Sequence, residues 1–331
     1  MNITAKQIAE MLQISKQAVY SVLSNKPKCL VSPEKKEKIL FLAKAYHYKP
    51  NKAALSLKGK STFQIGAVID SFINDEGQLL TRLASKLEIE NYVLKATKIS
   101  SIGQGMEMIQ NYISSGADAV IFSGRCLPDV HYEDYDVPLL SIRGEFGPDY
   151  HAGSRLVTEH LIREHGHRKI LHVASEPGPY PKYLGYCEAM KAAGLKPLPV
   201  LHTIMNDQFK TQLKKYLAGG VTAFTATGDY TASLLIYFLR SLGVRVPEDV
   251  AVTGFDCFGN YPEIASIVAP LEEVAALGCE MLLEKIQGKI LHKLEPRLII
   301  PEFQPSLSCG CPPVRFDNIA YLYSEEGLIS K

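Results

Sequence analysis

The 331-residue chain lacks the long apolar segments and the short motifs that would identify a membrane protein or a common hydrolase. No run approaches the roughly 18 apolar residues that a membrane helix needs. Its first residues include Lys6 and Glu10 among polar neighbours instead of the apolar core of a signal peptide. None of the patterns G-x-S-x-G, H-E-x-x-H and G-x-G-x-x-G occurs. We therefore expect a cytoplasmic protein that has no membrane contact and is not an enzyme.

The cysteines are scattered along the chain, and their positions do not predict a disulfide framework or a metal site. The seven cysteines lie at positions 29, 126, 187, 257, 279, 309 and 311. The close pair Cys309-Gly310-Cys311 has one intervening residue, where zinc knuckles usually have two or more. A dense group of histidines lies at positions 160, 165, 167 and 172, but 160–165 is predicted to be helical and 172 to lie on a strand. We expect their rings to diverge, which predicts reduced thiols, no metal and no cofactor.

The net charge of +1 conceals an uneven distribution of charge. Residues 1–60 contain twelve lysines and three glutamates, a net charge of +9, whereas the other 271 residues carry a net charge of −8. Such an asymmetry suggests that the basic segment meets a polyanion, although a solvated lysine-rich face would give the same count. The pattern of apolar residues helps to decide between these readings.

Apolar residues of the basic segment recur at helical spacing. Thr4 is placed to cap a first helix with positions 5, 8, 9 and 12 on one face, and Ser15 to cap a second with positions 19, 22 and 23 buried. A third helix is predicted to begin at Ser32 and Pro33. Its expected buried residues are Ile39, Leu42, Ala43 and Tyr46. Two short helices joined by a tight turn form a helix-turn-helix, so the sequence predicts a three-helix DNA-binding head.

These segments resemble a known family of bacterial transcription regulators. The stretches ITAKQIAEMLQISKQAVYSVLSN (3–25), VS (31–32) and YKPNKAALSLKGK (48–60) are similar to the DNA-binding head and hinge of the lac repressor (LacI/GalR) family. Gln13 stands where the family usually has glycine, Ser21 where the recognition helix often has arginine, and Leu55 where the hinge has arginine. A left-handed backbone at Gln13 would cost roughly 1 kcal/mol more than with glycine.

The second helix is the expected reader of DNA sequence. Lys16 suits guanine O6 and N7, Gln17 can bond adenine N6 and N7, and Tyr20 and Ser21 would add phosphate or base contacts. The lysines supply affinity that falls steeply with salt. The complete set of expected DNA-binding residues is Thr4, Ser15, Lys16, Gln17, Tyr20, Ser21, Asn25, Ser32, Asn51, Ala54 and Leu57.

Residues 53–57, in the hinge, consist mainly of residue types that favour a helix. The resemblance implies that this helix folds on DNA, with Leu57 wedged into a minor-groove base step. Without the resemblance, the favoured interpretation of residues 50–60 is a linker with Leu57 as a surface residue.

From residue 62 onward, short apolar strands alternate with helices. Strands are predicted at 63–70, 93–99, 119–124, 138–142, 169–175, 199–204, 223–227 and 250–255. Helices are predicted near 77–91, 104–115, 183–193, 207–218 and 230–242. Such alternation indicates an α/β protein with parallel, doubly wound sheets in two lobes, and ligands of such sheets bind beyond the carboxyl ends of the strands.

The resemblance to the lac repressor family extends through this body. It rests on GPDYHAGSRLVTEHL (147–161), EHGHRKI (164–170) and DYTASLLIYFLRSLGVRVPEDVAVTGFD (229–256), and it covers about residues 3–310. The resemblance implies a two-lobed, periplasmic-binding-protein-like sensor that closes around a small, usually sugar-like effector.

The resemblance also suggests where the effector binds. The candidate effector-binding residues are Ser71, Phe72, Asp75, Arg143, Lys182, Asp229 and Asp256. Each of them could equally be an inter-lobe or surface residue. Arg143 together with Lys182 suggests an effector that carries a carboxylate or a phosphate.

The expected organisation is a helix-turn-helix domain (1–48), a hinge (49–61), a two-lobed effector-binding and dimerisation domain (62–311) and a C-terminal extension (312–331). We expect a homodimeric repressor that binds palindromic operator DNA under control of a sugar-like effector, because two-fold operators require a two-fold protein. The alternative is a small-molecule binding protein whose head no longer reads DNA; an enzyme is a more distant possibility.

Overall fold

The computed structural model describes residues 3–23, 31–46, 48, 61–72, 75–174, 180–202, 207–257 and 261–312. The chain forms two compact units, residues 1–64 with 116–118 and residues 65–115 with 119–331. The expected boundaries at residues 48, 61 and 311 stay predictions, since residues 49–60 and 313–331 lie outside the described ranges. Among the described residues, no helix is both long and apolar enough to cross a membrane.

The head contains the three expected helices, α1 (Ala5–Met11), α2 (Lys16–Leu23) and α3 (Pro33–Ala45). Thr4 caps α1 in a capping box, because its side chain accepts from the Gln7 backbone while the Gln7 side chain accepts from the Thr4 backbone. Between α1 and α2, Gln13 has a φ of 53°, so the turn does adopt the left-handed backbone that the family's glycine favours.

The core of the head is small and built from all three helices. Its buried residues are Ile3, Ala5, Ile8, Ala9, Val19, Val22 and Ile39. The expected burial of Tyr46 is wrong: Tyr46 is the C-cap of α3 and 46% exposed, because the helix ends at Ala45. Tyr48 packs against the core from beyond this helix end, where helical spacing no longer predicts which residues face inward.

The first sheet of the body has the strand order β11-β5-β4-β3-β1-β2. Its strands are β1 (Gln64–Ile69), β2 (Val93–Lys98), β3 (Ala119–Ser123), β4 (Leu139–Ile142), β5 (Phe146–Pro148) and β11 (Arg297–Ile299). The pairs β1–β3, β3–β4, β4–β5 and β5–β11 are parallel. Helices α4 (Asp75–Ile89) and α5 (Ile102–Ser114) connect the first three strands. β1, β3 and β4 are almost entirely buried, as expected of parallel strands with both faces covered.

The second sheet has the order β7-β6-β8-β9 and is parallel throughout its described pairs. Its strands are β6 (Ile170–Ala174), β7 (Leu201–His202), β8 (Ala223–Ala226) and β9 (Ala251–Thr253). The associated helices are α6 (Tyr150–Arg163), α7 (Pro181–Ala192), α8 (Asp207–Ala218) and α9 (Asp229–Ser241). This arrangement confirms the prediction of two doubly wound parallel sheets.

Elements late in the chain were not predicted. Helix α10 (Leu271–Gly288) follows β10 (Ser266–Val268), and β10 pairs antiparallel with β12 (Glu302–Gln304). The strand β11 returns to the first sheet, so the chain crosses between the sheets after residue 288. Strands of three residues carry too little alternation for their type to be read from the sequence.

Candidate functional site

The exposed face of α2 carries the side chains expected to read DNA. Lys16 and Gln17 lie exposed in its first turn, and Tyr20 is 41% exposed one turn later. The Lys16 ammonium lies 5.6 Å from the centre of the Tyr20 ring. Ser21 is half-buried and donates to the backbone oxygen of Ala18, 2.9 Å away. Lys16, Gln17 and Tyr20 are therefore the candidates best placed to meet a base edge.

The other described candidates in the head act first as helix caps. The hydroxyl oxygens of Thr4 and Ser15 accept backbone N–H groups at the starts of α1 and α2. Ser32, the N-cap residue of α3, is exposed and makes no side-chain capping bond. The remaining candidates lie outside the described residues; they are Asn25, Asn51, Ala54 and Leu57.

Charged side chains gather at the carboxyl ends of strands in the body. Asp70 directly follows β1, Arg125 lies two residues after β3, and Arg143 directly follows β4. In the second sheet, Asp229 lies three residues after β8 and Asp256 three residues after β9. Parallel strands bring these ends to one edge of each sheet, where α/β proteins bind their ligands.

Arg143 organises the charges on the side of the first sheet. Its Nη2 donates to both carboxylate oxygens of Asp75, at 2.7 and 2.8 Å, and its Nε lies 3.1 Å from Glu76 Oε1. Arg143 has a φ of 66°, so the backbone turns sharply at the strand end. Both acidic partners lie in the first turn of α4. The position following the strand and the start of α4 thus build one ion-pair cluster.

Lys182 organises the charges on the side of the second sheet. Its ammonium donates to the backbone oxygen of Thr227 at 2.7 Å and to the two carboxylate oxygens of Asp256 at 3.2 and 3.3 Å. The same ammonium lies 3.9 Å from the centre of the Phe255 ring. Burial raises the pKa of Asp256, and Lys182 opposes this shift. Asp256 is therefore a buried carboxylate that depends on its cation.

Tyr150 joins the two groups of charges. Its hydroxyl donates to Asp75, while its ring centre lies 4.7 Å from the Arg143 guanidinium carbon and 4.8 Å from the Lys182 ammonium. Tyr150 is the first residue of α6 and was not among the expected site residues. We call the group formed by Asp75, Glu76, Arg143, Tyr150, Lys182 and Asp256 the charged cluster.

Asp229 is placed beside this cluster and is held by its own partners. Its Oδ1 accepts from Ser266 Oγ at 2.6 Å, and its backbone N–H donates to the Phe255 oxygen at 2.9 Å. A Cβ at Gly254 would come within 2.1 Å of this carboxylate oxygen, so the glycine makes room for it. Burial raises the pKa of Asp229 to about 7. Its expected role toward an effector stays a prediction.

Ser71 and Phe72 follow β1, as expected of rim residues. Phe72 is 50% exposed, and its backbone packs so closely on Gly77 that a Cβ there would lie 2.1 Å from the Phe72 oxygen. This close approach fixes the Phe72 backbone against the first turn of α4, while the Phe72 side chain stays exposed.

Glu76 is a buried member of the cluster that the sequence reading missed. Its side chain is fully buried, and its Oε1 accepts from Ser123 Oγ at 2.9 Å. Its Oε2 has no hydrogen-bond partner among the described residues. Burial raises the pKa of Glu76 to about 7. A glutamate in the first turn of a helix ordinarily lies exposed and interacts with the helix dipole, so no local pattern predicts the burial of Glu76.

The cations of this region are matched by carboxylates. Among the described residues here, Arg125 pairs with Asp70, Arg143 with Asp75, and Lys182 with Asp256. The two further carboxyl groups, Glu76 and Asp229, are those whose pKa is about 7. When these two hold protons, the region is close to neutral.

The expectation that the four histidines diverge is wrong for two of them. The Nε2 atoms of His160 and His165 lie 3.1 Å apart, because α6 ends at Arg163 and His165 lies beyond the helix end, where the predicted helical geometry no longer holds. The other two do diverge, as expected. His167 bonds to Thr222 and His172 to Thr225.

Comparison with known proteins finds similarity along almost the whole chain. A family model described as a periplasmic binding protein-like domain matches residues 158–305. The ribose operon repressor of Halalkalibacterium halodurans is 25% identical over 321 residues, which cover 90% of this chain and 96% of that protein.

Solved structures show the same fold. The lac repressor dimer bound to operator and the anti-inducer ONPF matches with a TM-score of 0.68 at 19% identity, covering 93% of this chain and 99% of that one. The transcriptional regulator CelR in complex with cellobiose matches with a TM-score of 0.62 at 21% identity, covering 93% and 100%. These likenesses confirm the predicted fold, a helix-turn-helix head followed by a periplasmic-binding-protein-like α/β body.

Proposed function

We infer that this chain is a sequence-specific transcriptional repressor whose affinity for operator DNA is controlled by a small effector. The inference starts from its resemblance to the lac repressor (LacI/GalR) family. The observation that carries this proposal is the combination, in one chain, of an exposed recognition helix and a buried charged cluster at the carboxyl ends of two parallel sheets. The relatives described above are themselves a repressor, a repressor bound to operator and a regulator bound to a sugar. The protein acts in the cytoplasm and catalyses no reaction.

The head binds operator DNA through α2. Lys16 and Gln17 are exposed at the helix N-terminus, the end that contacts base edges when a recognition helix lies in the major groove. The +9 charge of residues 1–60 supplies sequence-independent attraction to phosphates. Asn25, Asn51, Ala54 and Leu57 complete the DNA-binding surface, with Leu57 entering the minor groove.

The effector binds at the charged cluster. Arg143, Lys182 and Asp256 supply donors and acceptors for hydroxyl groups, and the Tyr150 and Phe255 rings supply apolar faces. Because each cation already has a carboxylate partner, an anionic effector would have to displace a buried ion pair. We therefore propose a neutral, polyhydroxylated effector of the sugar class, in preference to the carboxylate or phosphate that the sequence suggested.

The protein works as a homodimer. An operator with two-fold symmetry presents two half-sites, and each needs its own recognition helix. The body has large apolar side chains exposed on both sheets' helices and edges, including Ile89, Val93, Tyr230 and Tyr237. Such residues are candidates for the surface between two copies.

DNA recognition is tested by fluorescence anisotropy of the full-length protein on its own promoter DNA, competed with random DNA at physiological salt. We expect selective retention of the promoter fragment and a steep loss of affinity as salt rises. Gln17→Ala should relax one operator position at a cost of about 1–3 kcal/mol for the preferred base. The matched control is Met11→Ala, which changes an uncharged, exposed side chain at the end of α1 and leaves α2 intact.

Equal competition by random DNA would overturn the proposal of sequence-specific binding. If sugars still bound the body in that case, the protein would be a small-molecule binder whose head no longer reads sequence.

A further inference from the structure

Four potential metal ligands converge at the C-terminal end of α6, away from the charged cluster. They are His160, His165, Cys309 and Cys311, and their ligand atoms all lie within 4.8 Å of one another. The Nε2 atoms of the two histidines are 3.1 Å apart. Cys311 Sγ lies 3.5 Å from His160 Nε2 and 3.3 Å from His165 Nε2, and Cys309 Sγ lies 3.9 Å from His160 Nε2.

These separations match those of a tetrahedral zinc site. With Zn–N bonds of about 2.0–2.1 Å and Zn–S bonds of about 2.3 Å, a tetrahedron places two nitrogens about 3.3 Å apart and a nitrogen and a sulfur about 3.6 Å apart. The four measured distances scatter around these values. A single ion at the centre of the four atoms would therefore reach all of them with small adjustments of the side chains.

The backbone brings the ligands together through two turns. His160 lies in the last turn of α6, and His165 lies beside it just beyond the helix end, before the chain turns at Gly166. On the other side, a short 3-10 helix (Leu307–Cys309) ends at Gly310, whose φ of 94° turns the chain between the two cysteines. The glycine explains how a Cys-x-Cys pair with one intervening residue can present both sulfurs to one point.

The cysteine segment is fixed in place by neighbours that are not ligands. Ser308 Oγ donates to the Val252 oxygen at 2.6 Å and accepts from the Ala265 N–H at 2.8 Å. Ser306 Oγ donates to the Pro262 oxygen at 2.7 Å. Cys309 itself is 2% exposed. Because this segment is held against β9 and the residues that precede β10 independently of any ion, the four ligands are already positioned to receive one.

We propose that His160, His165, Cys309 and Cys311 form a structural zinc site that fastens the segment 306–311 to the end of α6. Two thiolates and two imidazoles are donors that select zinc over magnesium or calcium. Both thiols release their protons to solvent on binding, so the two negative sulfurs balance the 2+ charge of the ion. Four protein ligands close the coordination sphere, which is typical of a structural rather than a catalytic zinc site.

The site is tested by metal analysis of the full-length protein, purified under reducing conditions, stripped with a chelator and reloaded. We expect one zinc per chain after reloading with Zn²⁺ and dialysis. Loading with Co²⁺ should give the intense ligand-field bands of tetrahedral cobalt together with thiolate-to-cobalt charge transfer, and Zn²⁺ should abolish both. Removal of the metal should lower the melting temperature, since an ion that binds only the folded state stabilises it.

Matched variants test whether the four proposed ligands, and not neighbouring residues of the same types, bind the metal. Cys311→Ser and His165→Gln should weaken cobalt binding at least about tenfold, while circular dichroism at low temperature stays that of the wild type. Cys187→Ser and His167→Gln change another half-buried cysteine and a neighbouring histidine, and both should bind cobalt like the wild type.

Three results would overturn the proposal. One is a reloaded wild-type protein that retains no zinc and shows no cobalt spectrum. Another is a cobalt spectrum without charge transfer from thiolate, which would place the ion elsewhere. The third is a Cys309–Cys311 disulfide, detected by mass, that persists under reducing conditions and excludes the ion.

Discussion

The body contains two buried groups of charge that differ in how completely they are satisfied. The first is the ion pair of Lys285 with Glu145, at 2.8 Å, in which both side chains are fully buried. Lys285 also donates to the backbone oxygens of Leu139 and His292. Glu145 accepts from Tyr132, from the Ser141 backbone and from the Leu294 backbone. The second is the charged cluster, in which Glu76 Oε2 lacks a partner among the described residues.

The difference separates a structural role from a binding role. The Lys285–Glu145 pair joins α10 to the end of β4, and its bonding capacity is taken up within the protein. In the charged cluster Glu76 has an oxygen without a partner among the described residues, and the pKa of Glu76 and of the neighbouring Asp229 is about 7. A buried polar group without a partner costs stability, and such groups concentrate where a ligand completes them. We therefore expect changes in the first pair to alter folding and changes in the second group to alter the response to effector.

The largest expected effect is on stability, in Lys285→Met. Removing the ammonium leaves the Glu145 carboxylate buried without its cation, which should lower the free energy of unfolding by about 3–5 kcal/mol. Denaturant unfolding measures this loss. The surface control is Lys214→Met, which should change stability by less than about 0.5 kcal/mol. Adding Glu145→Gln to Lys285→Met should restore part of the lost stability. A Lys285→Met protein as stable as the control would contradict the structural role assigned to the Lys285–Glu145 pair.

Asp256→Asn tests the charged cluster and, unlike Lys285→Met, should alter effector binding. The amide keeps the shape but loses the charged acceptor, so effector affinity should fall by about 1.5–3 kcal/mol while operator affinity without effector stays unchanged. Isothermal titration measures the first and anisotropy on operator DNA the second. Asp249→Asn, in the exposed pair with Arg245, is the control and should leave both affinities unchanged. Wild-type effector affinity in Asp256→Asn would place the binding site elsewhere.

The smallest expected effect is on the pH dependence of the free energy of unfolding, to which Glu76 contributes. Burial raises the pKa of Glu76 from an ordinary 4.5 to about 7, so between these values the folded protein holds a proton that the unfolded chain has released. The free energy of unfolding should therefore fall as pH rises from about 4.5 to about 7 and level off above. Glu76→Gln should reduce this fall by an amount on the order of 2 kcal/mol.

Denaturant unfolding at several pH values from 5 to 8 checks the comparison with the wild type. The exposed control Glu107→Gln should keep the wild-type slope, since its side chain sits on α5 rather than in the cluster. Parallel curves for the wild type and Glu76→Gln would show that Glu76 ionises normally in the folded protein.

Local signals made the head readable from the sequence. The Thr4 and Ser15 caps, Pro33 at the start of α3 and the helical spacing of apolar residues each act within a few residues. The left-handed turn at Gln13 was expected from the resemblance alone. The prediction that Tyr46 is buried is wrong because this residue lies at the end of α3, beyond which helical spacing no longer predicts which side chains face inward.

Long-range contacts made the sites of the body harder to predict. The resemblance suggested Asp75, Arg143, Lys182 and Asp256, and their role toward an effector stays a prediction. The pairing of Arg143 with Asp75 spans 68 residues, and no local pattern announces it. Cys311 and His165 are 146 residues apart in sequence. The short ligand spacings that identify zinc sites in a sequence therefore do not connect them.

The central claim is that effector binding at the charged cluster controls operator binding by the head. The most direct test is anisotropy of the full-length protein on its promoter DNA, titrated with a panel of neutral sugars and their acidic analogues. The account predicts that at least one neutral sugar changes operator affinity in the wild type and that Asp256→Asn loses this response while still binding DNA. A response that only acidic analogues produce, or one that Asp256→Asn retains in full, would contradict it.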